Sequence, residues 1–176
     1  YSADKEKCVE MALNYLEGAQ IDIVTLYTEI LQPALNKMNC NSTDEELCVW
    51  KEHIRSSIVR TIIECCYPYV MLKTRELRVK GSVKVIVLCP DGEYHELGAR
   101  MVADFFTLNG YETFFVGSSP PEDNFIKCIN MVKPKYVAIS VTNYYNLIKT
   151  KRTIGKIRDH VDGTVKIIVG GNAFRK

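Results

Sequence analysis

The hydrophobic period changes once along the chain, near Val79, and that change constrains the fold more than any other feature. Beyond it, short β-branched runs alternate with stretches of helical period. Residues 83–89 form an apolar, β-branched run broken only by Lys84, the pattern of a strand buried on both faces. Residues 95–108 carry Leu97, Met101, Val102, Phe105 and Leu108 on one side, and Asn109-Gly110 closes that helix. Residues 112–116 read as a second strand. Ser118-Ser119-Pro120-Pro121 then turns into a helix reaching about residue 132. Residues 136–141 are a third strand, 145–161 a basic helix, and 164–169 a fourth strand ending in Gly170-Gly171. Strands and helices in this alternation specify right-handed βαβ units and a parallel sheet covered on both faces.

The first 78 residues read as helical instead. Between residues 5 and 16, Val9, Met11, Leu13 and Leu16 recur among charges. From 22 to 38 the apolar set is Ile23, Val24, Leu26, Ile30, Leu31, Leu35 and Met38, spaced by three and four. Pro33 is expected to kink or divide this stretch. After a polar break at 39–43, Ser42 or Thr43 caps a third helix, with Glu45 and Glu46 favoured in its first turn. That helix carries Leu47, Trp50, Ile54, Ile58 and Ile62, and Pro68 is expected to stop it. A short fourth helix over 69–77 follows. The expected organisation is a helical bundle over 1–78 and an α/β domain over 79–176.

Composition narrows the function. Hydrophobic residues make up 47% and charged residues 25%, values of a globular chain rather than a disordered one. No run approaches the roughly 20 apolar residues of a membrane span, and the start lacks a signal-peptide pattern. A net charge of +2 leaves no electrostatic footprint for nucleic acid. Seven cysteines occur without a CxxC pair, and most sit in apolar runs. They read as free thiols packed in a core, in a reducing cytoplasm.

The expected strand order is 2-1-3-4, the flavodoxin-like arrangement, with its switch point between strands 1 and 3. Ligands of such sheets bind beyond the carboxyl ends of the strands there. Pro90-Asp91-Gly92-Glu93-Tyr94-His95 follows strand 1, and Ser140-Val141-Thr142 ends strand 3. A carboxylate, an imidazole and two hydroxyls thus meet at one crevice, with Gly170-Gly171 beside it. Common tenants fail. There is no GxGxxG, no Gly-Lys-Ser/Thr phosphate loop and no paired acids at the end of strand 1. The loop is also not the Ser/Thr/Gly-rich kind that a flavin phosphate wants.

What remains is Glu93-x-His95-x-x-Gly98, about forty residues, Ser140-x-Thr142, under thirty residues, then Gly170-Gly171. In these blocks the chain resembles the cobalamin-binding domain family, whose pattern is Asp-x-His-x-x-Gly, Ser-x-Leu or Ser-x-Thr, and Gly-Gly. Many members carry a small four-helix cap before the domain. The resemblance implies cobalamin, as adenosylcobalamin or methylcobalamin, bound with its benzimidazole tail released from the cobalt. It implies His95 as the lower axial ligand to cobalt, its other nitrogen held by Glu93, where the family usually has Asp. Ser140 would extend that relay. Gly98 would let the following helix lie close to the tail, and Ser140, Thr142, Gly170 and Gly171 would line the tail channel. Imidazole is a good ligand for such a metal once a partner fixes its tautomer. The family's domain normally has a further strand and helix after the Gly-Gly, which this sequence does not show.

In the family the cap covers the upper face of the corrinoid. Light-sensing members carry Trp, nine residues, then Glu-His. Here Glu52-His53 matches, Ser42 stands at the Trp position, and Trp50 lies one helical turn before His53. Methyl carriers typically have Asp-x-His-x-x-Gly-Lys-Asn, whereas this chain has Glu93-x-His95-Glu96-Leu97-Gly98-Ala99-Arg100, which looks more like the sensor branch. Tyr144 and Tyr145 are bulkier than the family's usual residues and stack on a ring or narrow the channel. The leading expectation is therefore a cobalamin-binding sensor module, not itself an enzyme, read by self-association or by a signalling partner. The alternatives are the corrinoid methyl carrier of a methyltransferase system, with that enzyme as partner, and a sensor of another tetrapyrrole such as a bilin.

Overall fold

The structure, a computed structural model, describes residues 3–36, 45–75 and 83–175. The backbone forms two compact units, Tyr1–Leu72 and Lys73–Lys176.

In the first unit, α1 spans Lys5–Glu17, and the Asp4 carboxylate caps it by accepting the Lys7 N–H at 2.9 Å. Asp22 starts the next stretch in the same way, accepting the Thr25 N–H at 2.8 Å. That stretch runs as α2 (Ile23–Thr25), a π-helical segment (Leu26–Leu31) and α3 (Gln32–Asn36). The Gln32 N–H bonds to the Tyr27 carbonyl, five residues back. The wider turn directly precedes Pro33, which has no N–H to continue an α-helical ladder. So Pro33 changes the helical register and does not divide the helix.

Helix α4 runs from Glu45 to Thr74 with Pro68 inside it. The expected third and fourth helices are therefore one, and Pro68 does not stop it. Ile62, Ile63 and Cys66 before the proline and Val70 after it are all buried. Burying side chains of this size contributes about 1.5–3 kcal/mol each, which offsets the roughly 3 kcal/mol an internal proline costs. The Tyr69 hydroxyl donates to Glu17 Oε1 at 3.2 Å, tying α4 to α1. The expected caps Ser42 and Thr43 lie outside the described residues. No described helix is long and apolar enough to cross a membrane.

The second unit holds four parallel strands in the order β2-β1-β3-β4, with β1 at Lys84–Leu88, β2 at Glu112–Gly117, β3 at Tyr136–Ser140 and β4 at Lys166–Gly170. Helices α5 (Leu97–Leu108), α6 (Glu122–Val132) and α7 (Leu147–His160) connect them. Strand β1 explains the layering. Val85, Val87 and Cys89 pack with Ala99 and Ala103 of α5 on one face. Ile86 and Leu88 pack with Phe125 and Ile129 of α6 and Ile157 of α7 on the other. A central strand buried on both faces has no polar side of its own, hence its apolar run. Strand β4 has β3 as its one neighbour among the described residues.

The cysteines divide. Cys66 and Cys89 are buried free thiols. Burial, with the neighbouring Cys65, pushes Cys66 up to about 11. Burial, with Glu93 and Glu96 nearby, pushes Cys89 up to about 12. Cys8 and Cys65 are exposed, and Cys48 is disulfide-bonded. Uniform core packing of free thiols therefore does not hold: exposed helical positions took two of them and a cross-link a third.

Candidate functional site

Three loops meet at the carboxyl ends of β1, β3 and β4. The first follows β1, where the chain turns at Asp91-Gly92, Gly92 has φ +76°, and the Glu93 N–H returns to the Pro90 carbonyl at 3.0 Å. The turn sends the Glu93 side chain inward, where it is fully buried. Its Oε2 accepts the Thr142 N–H at 3.0 Å, the Asn143 N–H at 2.8 Å and Asn146 Nδ2 at 3.1 Å. Its Oε1 accepts the His95 backbone N–H at 3.1 Å and lies 2.6 Å from His95 Nδ1. Five donors thus surround one carboxylate.

Burial by itself raises the Glu93 carboxyl, but hydrogen bonds from Asn143, Asn146 and His95 outweigh it and hold the group below the ordinary glutamate range. An ionised acceptor at Oε1 places the proton of a neutral imidazole on Nδ1. The Nε2 lone pair is then available. The His95 side chain is 54% exposed, and no described residue bonds to Nε2. The arrangement is a buried carboxylate orienting a half-exposed imidazole for use as a ligand or base.

The second loop follows β3. Ser140 stands opposite Gly170 in the β3–β4 register and makes no hydrogen bond to Glu93. Asn146 fills the place in the relay expected of Ser140, and Thr142 contributes its backbone N–H. The Asn143 side chain accepts the Tyr145 N–H at 3.0 Å and starts a short 3-10 turn over Tyr144–Asn146. That turn leaves Tyr144 71% and Tyr145 85% exposed. The third loop follows β4. At Gly171 φ is +109°, and an added Cβ would lie 2.3 Å from the Val141 carbonyl oxygen. Only glycine lets the two loops approach this closely. Gly98 and Gly170 are the reverse case: nothing lies within 4 Å of where their Cβ atoms would be.

Trp50, Glu52 and His53 lie on α4 in the other compact unit, all exposed, Trp50 at 70%. Arg100, where methyl carriers have part of a Lys-Asn pair, bonds Asp104 Oδ1 at 2.5 Å and lies over the Phe115 ring at 5.7 Å. Its work here is packing α5 on β2. Sequence reasoning missed Asn146, Lys149 and Ser119. The signal for Asn146 was a polar residue with good capping chemistry just before the apolar period of α7.

The family model for the B12 binding domain matches residues 83–176, more than half of the chain. The chain therefore belongs to the B12-binding domain family, and its cofactor is cobalamin. Among solved structures, the monomethylamine corrinoid protein of Methanosarcina barkeri is similar, with a TM-score of 0.75 and 14% identity over 98% of this chain and 84% of that one. A chain of the methanol:cobalamin methyltransferase complex MtaBC from Methanosarcina barkeri matches with a TM-score of 0.52 and 14% identity, over 99% of this chain and 65% of that one. At such identity these likenesses show the fold. No curated protein matches the sequence. The residues fit the cofactor: a nitrogen ligand with its tautomer set by a buried carboxylate, and two glycines with open faces, Gly98 in the first turn of α5 and Gly170 at the end of β4.

Proposed function

We propose that the protein carries cobalamin with His95 Nε2 as the lower axial ligand, as the corrinoid component serving a partner methyltransferase. The carrying observation is the 2.6 Å contact between Glu93 Oε1 and His95 Nδ1. It orients the ring and raises the electron density that Nε2 offers to a metal. Bound cobalamin supplies a cobalt centre that takes up and gives off a one-carbon group. The chain's own residues do the rest. Glu93 stays ionised and holds the Nδ1 proton. Gly98 and Gly170 leave room for the tail, and Ser140, Thr142, Gly171 and Tyr144 border it. The carrier reading is favoured over the sensor reading because the structures that share this fold include a corrinoid protein and a methyltransferase complex.

The test is an absorption spectrum of the protein mixed with methylcobalamin in darkness, with and without His95→Ala, followed by sizing before and after illumination. The expected result is bound cofactor with a spectrum that depends on His95 and an oligomeric size indifferent to light. A size change driven by light would return the sensor reading. Absence of binding would sink both.

A further inference from the structure

The turn that carries His95 is held on a second side that the Glu93 cradle does not reach. Asp91 Oδ2 lies 3.2 Å from Lys149 Nζ of α7. Asp91 Oδ1 accepts the Ser119 hydroxyl at 3.3 Å, and the same hydroxyl oxygen accepts the Gly92 N–H at 3.0 Å. Lys149 reaches Asp91 by lying across Gly92, where an added Cβ would sit 2.5 Å from Nζ. Ser119 has φ +46°, a left-handed conformation that non-glycine residues adopt only when their surroundings enforce it. On the inner side, Asn146 Nδ2 donates to the Gly92 carbonyl at 3.3 Å. The turn is thus tied to the loop after β2 and to the outer face of α7, as well as to the loop after β3.

We propose that Asp91, Lys149 and Ser119 form an ionic latch that positions the Glu93–His95 pair, so that the hold on His95 Nδ1 depends on ionic strength. The inference deepens the reading of His95 as the cobalt ligand and rests on it for its purpose, though not for its test. Glu93 follows Asp91 by two residues, across a glycine, the residue whose backbone has the widest intrinsic freedom. A turn fixed only at Glu93 could pivot about Gly92, and the latch removes that freedom. The two grips also differ in exposure. The side chains of Lys149 and Asp91 are 45% and 53% exposed, so dissolved salt screens their attraction. Glu93 is fully buried and is screened far less.

The test reads the imidazole nitrogen resonances of His95 in the protein without cofactor, which report the share of the Nδ1–H tautomer. We expect Lys149→Met to lower the tautomer ratio by up to about fivefold, the range of an exposed ion pair. We expect 1 M salt to do the same in the wild-type protein and nothing further in Lys149→Met. Lys149→Arg should retain the wild-type ratio, and the exchanged pair Asp91→Lys with Lys149→Asp should restore its salt dependence. Ser119→Ala gives a second variant should Lys149→Met fold poorly. A ratio in Lys149→Met equal to wild type, or the same salt response in both, overturns the latch. In a parallel arm, the fraction of bound cobalamin ligated by His95 is followed in the same variants. Failure of the wild-type protein to bind cobalamin overturns the functional reading alone, because the tautomer measurement needs no cofactor.

Discussion

Glu93 is the residue on which the site turns, because five donors converge on it and three of them are backbone N–H groups that cannot accept. Glu93→Gln places an amide donor against N–H groups already aimed at that position. Unfolding of this variant is expected to cost about 2–4 kcal/mol less than wild type, measured by denaturant titration. The pH dependence has a definite sign. The folded carboxyl lies below its ordinary value, so the unfolded chain takes up its proton first as pH falls. The Glu93 contribution is complete above the ordinary glutamate range and is lost as pH drops through the lowered folded value. Glu93→Gln should flatten that part of a stability profile. Thr153 poses a smaller question, since its buried hydroxyl is without a hydrogen-bond partner among the described residues. Thr153→Val removes the unsatisfied group at constant volume and should be neutral or stabilising by up to about 1 kcal/mol in the same titration. The pairing of Glu93 with His95 was legible from a two-residue spacing. The pairing with Asn146 was not, because the partners stand 53 positions apart and meet only through the β1–β3 register.

At the scale of elements, two glycines of the motif separate folding from binding. Gly171→Ala forces a Cβ into the Val141 carbonyl at a positive φ. It should destabilise the α/β unit by about 3 kcal/mol or more. Gly98→Ala meets open space in the first turn of α5 and should stabilise the protein without cofactor by about 0.5 kcal/mol. If the open face of Gly98 borders cobalamin, the same substitution weakens binding, read as a rise in Kd by spectral titration. Unchanged affinity would remove Gly98 from the site. Both glycines look alike in sequence. What distinguishes them is the backbone that each one meets. The same holds for the prolines. Pro33 and Pro68 carry equal breaking power locally, yet neither ends its helix: at Pro33 a wider turn just before it takes up the missing N–H, and at Pro68 buried side chains on both sides outweigh one lost hydrogen bond.

For the whole molecule, cobalamin binding to the folded chain should raise stability by mass action, about 2.7 kcal/mol at a concentration 100 times Kd. His95→Ala should show a smaller increase at the same concentration, followed as a shift in thermal midpoint. An equal shift would mean that the imidazole adds nothing to binding. The path from sequence to this molecule divides by range. The alternation of strands and helices and the parallel order β2-β1-β3-β4 could both be read from the chain. So could the blocks at the ends of β1, β3 and β4. Periodicity and turn chemistry act over a few residues, and sheet topology follows from short right-handed connections. Other features depend on packing between distant segments: Asn146 taking the place expected of Ser140, Lys149 reaching Asp91 across Gly92, and α4 continuing through Pro68. Each is set by a distance between atoms that sequence spacing does not contain, and that distance exists only once the sheet register and the helix packing have placed the loops.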